Sequence, residues 1–109
     1  MKTTIGLTEQ VQFLPQKITV LARIDTGATK SSIDAALAKK LNLVTIDQRV
    51  VKSAHGRSLR AVVKTQIAFA HKIITGKFTV AHRKHMKYQV LIGQNMLQGK
   101  GFLIDPDKE

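Results

Sequence analysis

Short β-rich runs, each cut off by a basic or glycine turn, constrain this chain more than any other feature of its sequence. The run "ITVLARI" (18–24) is apolar and rich in β-branched residues, and reads as a strand that ends on Asp25. The stretch "VVKSAHGRSLRAVVKTQIAFA" (50–70) has a turn signal at His55-Gly56 between two β-rich arms, the pattern of a hairpin. "IITGKFTVAH" (73–82) and "YQVLIG" (88–93) read as further strands, and "GFLIDPDKE" (101–109) as a last short one stopped by Pro106. Helical signals are few. "SSIDAALAKKLNL" (31–43) offers Ser31 or Ser32 as an N-cap and puts Ile33, Ala36, Leu37 and Leu41 on one face, which predicts a short amphipathic helix. "GQNMLQG" (93–99) holds at most one further turn between its glycines. Irregular short strands with one or two short helices suit a small closed barrel or a sandwich better than alternating βαβ units.

At 109 residues the expectation is a single domain spanning 1–109, and with four Phe, one Tyr and no Trp its core must be mainly aliphatic. The absence of cysteine removes disulfides, thiolate chemistry and Cys-based zinc sites. No apolar run is long enough to span a membrane and no signal peptide opens the chain, so a cytoplasmic location with no membrane partner is expected. The net charge is +11, and its distribution is uneven: between Asp47 and Asp105 there is no acidic residue, while Arg49, Lys52, Arg57, Arg60, Lys64, Lys77, Arg83 and Lys84 all fall in that interval. A field of this sign recruits nucleic acid, anionic lipid or an acidic peptide, unless it is only a solvated surface. The aromatic platforms that usually accompany RNA recognition are scarce.

Asp25 ends an apolar strand and is followed at once by Thr26, Gly27 and Ala28. An aspartate there costs solvation energy unless something uses it. Taken alone, such a residue is most often a cap or turn residue.

Apolar strand, Asp-Thr-Gly-Ala and the later "VLIGQN" (90–95) together resemble the retropepsin family, whose single-domain subunits pair to make an aspartic protease. A narrower likeness runs along nearly the whole chain. "IGLTEQVQFLPQKITVLARIDTGATKSSIDA", "VVKSAHGRSLRAVVKTQIAF" and "VAHRKHMKYQVLIGQNMLQGKGFLIDP" resemble the bacterial retropepsin-like family labelled ATP-dependent zinc protease, often encoded beside RimK-type glutamate ligases. The resemblance implies a mainly β, retropepsin-like closed barrel and a homodimeric peptidase with Asp25, Thr26 and Gly27 of each subunit at its catalytic centre. Two carboxylates brought within a few ångströms share one proton, so one can act as base on a water while the other donates to the scissile carbonyl. The resemblance also implies that Ala28, the flap residues His55, Gly56 and Arg57, and Ile92 with Gly93 contact or frame the substrate. Two departures go together: Gln94 stands where retroviral enzymes carry Arg, and Thr29-Lys30 where they carry its acidic partner. Ala28 replaces the usual Ser, removing one hydrogen bond to the carboxylate. The flap has a single glycine, which implies a shorter or stiffer hairpin.

The residues themselves do not support the zinc and ATP of the family label. Catalytic zinc commonly takes three protein ligands, often from His-Glu-x-x-His, and none of His55, His71, His82 and His85 stands in such a pattern. His82 and His85 are separated by Arg83 and Lys84, and adjacent cations disfavour a metal dication. Neither glycine-rich nucleotide motif is present. The expectation is therefore no metal and no cofactor. Two functions stay open: a homodimeric aspartic peptidase acting on peptides or proteins, with glutamate-rich tails as the candidate the family context implies, and a catalytically silent module binding ribosome, RNA or acidic protein through the basic face.

Overall fold

The structure is a computed structural model and describes residues 2–54 and 56–108. Nine strands and two short helices follow in the order β1 (Thr3–Ile5), β2 (Thr8–Leu14), β3 (Ile18–Ile24), β4 (Ser31–Asp34), α1 (Ala35–Lys40), β5 (Thr45–Ser53), β6 (Gly56–Phe69), β7 (Lys72–Ala81), β8 (Val90–Ile92), α2 (Gln94–Leu97) and β9 (Phe102–Ile104). Six strands close into a barrel in the order β2-β3-β8-β4-β7-β6, with β6 returning to β2 through Gln12↔Ala68, Phe13↔Ile67 and Leu14↔Gln66. Closure removes the free edges that an open sheet of this size would expose. Outside the barrel, β1 and β9 form a parallel pair that brings the two ends of the chain together.

The period-2 alternation that betrays a half-buried strand is clear in β6, where Val63, Thr65, Ile67 and Phe69 turn inward and Lys64 and Gln66 outward. Inside the barrel Phe13 and Phe78 meet with ring centroids 5.7 Å apart. Val11, Ile24, Ile33, Leu41, Ile67, Val90, Ile92 and Met96 fill the space around them. The core is thus largely aliphatic, as the composition requires. The turn between β6 and β7 has Ala70 and His71 both at positive φ (52° and 65°), the backbone of a tight hairpin turn whose twist matches the strands it joins.

The expected helix over 31–43 is corrected by the structure. Ser31–Asp34 form β4, wedged between β7 (parallel) and β8 (antiparallel), and α1 has only six residues. Strands β7 and β8 supply backbone hydrogen-bond partners on both sides, and the pairing buries Ile33. The cap is Asp34, whose Oδ2 accepts from the Ala36 amide at 3.1 Å, while Leu37, Ala38 and Leu41 are the residues that face the core and Ala36 is exposed. The hairpin at residues 50–70 is present as β5 and β6, which pair as far as Ser53↔Gly56, while His55 of the expected turn lies outside the described residues. Its outer half, beyond the last β6–β7 pair at Val62↔Thr79, projects from the barrel as a two-stranded ribbon. Among the described residues no helix is long and apolar enough to cross a membrane.

Candidate active site

Strand β3 delivers Asp25 to a fixed point. The Ile24 amide donates to the Leu7 carbonyl and the Asp25 amide to the Ile92 carbonyl, both at 2.9 Å, so the strand end is tied to the neighbouring segments on either side. The chain then turns, with the Ala28 amide donating back to the Asp25 carbonyl at 3.2 Å. Inside this turn the Gly27 amide donates to Asp25 Oδ1 at 3.0 Å. A Cβ on Gly27 would lie 3.3 Å from that oxygen, so glycine keeps the side of the carboxylate open. Asp25 is half-buried and Thr26 and Gly27 are exposed, leaving the carboxylate at the molecular surface with a backbone donor on one oxygen.

The loop is held from behind by the segment that opens α2. Gln94 donates from its backbone amide to the Ala28 carbonyl and from Nε2 to the Thr26 carbonyl, both at 2.7 Å. The side chain that replaces the arginine of retroviral enzymes therefore clamps the aspartate loop within its own chain through a neutral amide. Gly93 admits no larger residue, because a Cβ would run into the backbone of Lys30 and the carbonyl of Ala28. Its amide donates to Ser31 Oγ at 2.9 Å, Ser31 donates to Asn95 Oδ1 at 2.7 Å, and Asn95 Nδ2 reaches the Lys77 carbonyl at 3.0 Å. This chain of bonds links the loop, α2 and β7. The sequence gives no sign of the Gln94 and Ser31 roles beyond their place in the two motifs, since amides and hydroxyls that bond to backbone leave no periodic pattern.

The other expected site residues are distributed around this loop. Ala28 is half-buried beside Asp25, while Ile92 and Gly93 are buried behind the loop and hold it through the backbone. Gly56, at φ 109°, and Arg57 open β6 at the exposed end of the ribbon. His55 lies outside the described residues. A cavity of about 330 Å³ lies between the ribbon arm Ser58–Ala61 and Val80, Ala81 and His82 at the end of β7. Among the described residues no three His, Asp or Glu side chains gather as metal ligands.

One structural residue was visible in the sequence only as a charge. Arg83 is 7% exposed, donates from Nε to the Tyr88 carbonyl at 3.0 Å, and its amide donates to Asp34 Oδ1 at 2.8 Å. Burial, then the positive charge of Arg23, pulls Arg83 below the usual arginine range, and the carboxylates of Asp34 and Asp25 oppose that shift.

The mainly β closed barrel is retropepsin-like, and solved structures share the fold. The solution structure of simian foamy virus protease is similar with a TM-score of 0.64 at 14% identity, covering 83% of this chain and 90% of that one. The crystal structure of a Legionella pneumophila protein of unknown function is similar with a TM-score of 0.70 at 23% identity, covering 97% of this chain and 94% of that one. No curated protein matches the chain. The model of the RimB-like family, described as retropepsin-like aspartic endopeptidase RimB, matches residues 36–109 of the 109-residue chain. The chain belongs to that family. The matched segment begins after the Asp25 loop, one residue into α1, and takes in the ribbon, β8 and α2.

Proposed function

We propose that the protein is an aspartic endopeptidase that works as a homodimer, each subunit contributing one Asp25. The observation that carries this reading is the Asp25 loop: a half-buried carboxylate at the surface, one oxygen bound by the Gly27 amide, on a turn clamped by Gln94 at two carbonyls. A single such loop per chain makes half a dyad, and a two-fold axis through it supplies the other half. In the dimer the paired carboxylates share one proton and titrate together. The ionised one takes a proton from a water held between them as that water attacks the peptide carbonyl. The protonated one gives its proton to the carbonyl oxygen, forming a tetrahedral diol. Collapse of the diol, with proton transfer to the departing nitrogen, releases a new carboxyl and a new amine. Thr26 ties the two loops across the axis, and the β5–β6 ribbon with His55, Gly56 and Arg57 covers the bound peptide.

The acid-free interval from residue 48 to residue 104 supports an acidic substrate, drawn in by a positive field. Glutamate-rich tails such as a RimK-type ligase adds are the candidate. Cleavage of a peptide pool that includes glutamate-tailed members, by wild type and by Asp25→Asn, tests the proposal. Cuts made only by the wild type, and unchanged by chelator, are expected. A folded, dimeric wild type that cuts nothing between acid and neutral pH would leave the silent basic module, whose mark is steeply salt-dependent RNA binding unaffected by Asp25→Asn.

A further inference from the structure

We infer that Lys30, Arg49 and Lys77 form a subsite that binds a carboxylate side chain of the peptide beside the Asp25 loop. The three cations line one cavity of about 280 Å³ whose remaining wall is Val62, Gly76, Phe78, Thr79 and Asn95. They come from three separate parts of the fold. Lys30 follows the aspartate loop, Arg49 stands in the β5 arm of the ribbon, and Lys77 is on β7. None of the three meets a carboxylate: among the described residues the ion pair is Lys108–Glu9, elsewhere on the molecule. Three like charges around one recess repel one another, and an anion entering it relieves that repulsion.

The recess is tied to the catalytic loop by the bonds already described. The Lys30 backbone packs on Gly93, and Asn95 joins Ser31 to the Lys77 carbonyl, so the Lys30 and Lys77 walls are held relative to Asp25 by the barrel, and the ribbon brings Arg49 over them. Arg49 is half-buried and adds a planar fork suited to a carboxylate, while the exposed lysines add point charges. A recess of this size takes a glutamyl side chain. It offers a nucleic acid no stacking surface, because its one aromatic, Phe78, is fully buried.

The role in cleavage rests on the peptidase reading, whereas binding does not, and the two are measured separately. Binding of hexaglutamate is followed in an Asp25→Asn background, with and without Lys30→Gln/Arg49→Gln/Lys77→Gln. Lys39→Gln/Lys40→Gln/Lys100→Gln serves as an equal-charge control on exposed lysines outside the recess. Removing three partly solvated ionic contacts should weaken binding about tenfold or more, and the control triple about threefold at most. Equal weakening by both triples would overturn the subsite and reduce the effect to general charge. So would an affinity for hexaglutamate no greater than that for hexalysine. The cleavage counterpart uses Lys30→Glu/Lys77→Glu on a peptide library. Loss of the preference for glutamate at one position, with uncharged peptides still cut, is expected, and an unchanged preference at every position would overturn the proposal. A wild type that binds hexaglutamate through the recess yet cuts nothing would refute the peptidase and leave the subsite standing.

Discussion

Gly27 and Gly93 lie on either side of the same loop, yet their substitutions should fail differently. At Gly93 a methyl group would meet the backbone of Lys30 and Ala28, which cannot move without dragging the aspartate loop and β4 with it. Gly93→Ala should therefore lower the unfolding free energy by about 2 kcal/mol or more, as overpacking against main chain does. At Gly27 the same methyl would meet only the Asp25 carboxylate, on an exposed turn. Gly27→Ala should leave stability within about 0.5 kcal/mol, the range of ordinary surface substitutions, while abolishing cleavage. Urea denaturation of both variants beside a peptide assay checks the pair. A Gly93→Ala protein as stable as the wild type would contradict the packing described here. At this scale the sequence was partly informative: Asp25-Thr26-Gly27 marks the loop, but what Gln94 and Ser31 bond to becomes visible only when the barrel brings α2 and β4 beside it.

Among the elements, the β5–β6 ribbon is held least. From Thr45 to Ala61 its described side chains are exposed or half-buried, and Val50 and Leu59, paired across it, are 55% and 63% exposed. The inner half of β6, from Val62 to Phe69, instead pairs with β7 along its length and with β2 at Gln66–Ala68, and it carries four fully or nearly fully buried apolar residues, Val62, Val63, Ile67 and Phe69. Local opening follows buried contact, so ribbon amides should exchange with solvent at least about a hundredfold faster than those of Val63 and Ile67. Hydrogen-exchange mass spectrometry on the wild type measures this, and equal protection would remove the mobility that a covering flap needs. The hairpin was legible in sequence because a turn signal separates two β-rich arms. β4 was not, because "SSID" continues into a helical pattern and only its two neighbouring strands decide otherwise. β2 was also missed. Its Thr-Glu-Gln start is polar, and Val11 and Phe13 alone carry the inward alternation.

For the whole molecule, closure of six strands sets the aspartate loop, the ribbon and the recess of Lys30, Arg49 and Lys77 on one framework. The barrel is what makes distant residues neighbours. Lys30, Arg49 and Lys77 are scattered through the sequence: Arg49 and Lys77 fall in the acid-free interval and Lys30 lies before it, so nothing in the sequence marks their convergence. The chain belongs to a retropepsin-like endopeptidase family, and the central claim of the proposed function is that two chains must each supply a carboxylate. Mixing wild type with Asp25→Asn after equilibration, at constant total protein well above the dimer dissociation constant, tests that claim most directly. If a heterodimer with one aspartate is inactive, an equal mixture retains roughly a quarter of the wild-type rate, because only one dimer in four pairs two wild-type chains. A rate that falls in proportion to the wild-type fraction, to roughly half, would mean that each chain acts alone and would contradict the shared dyad.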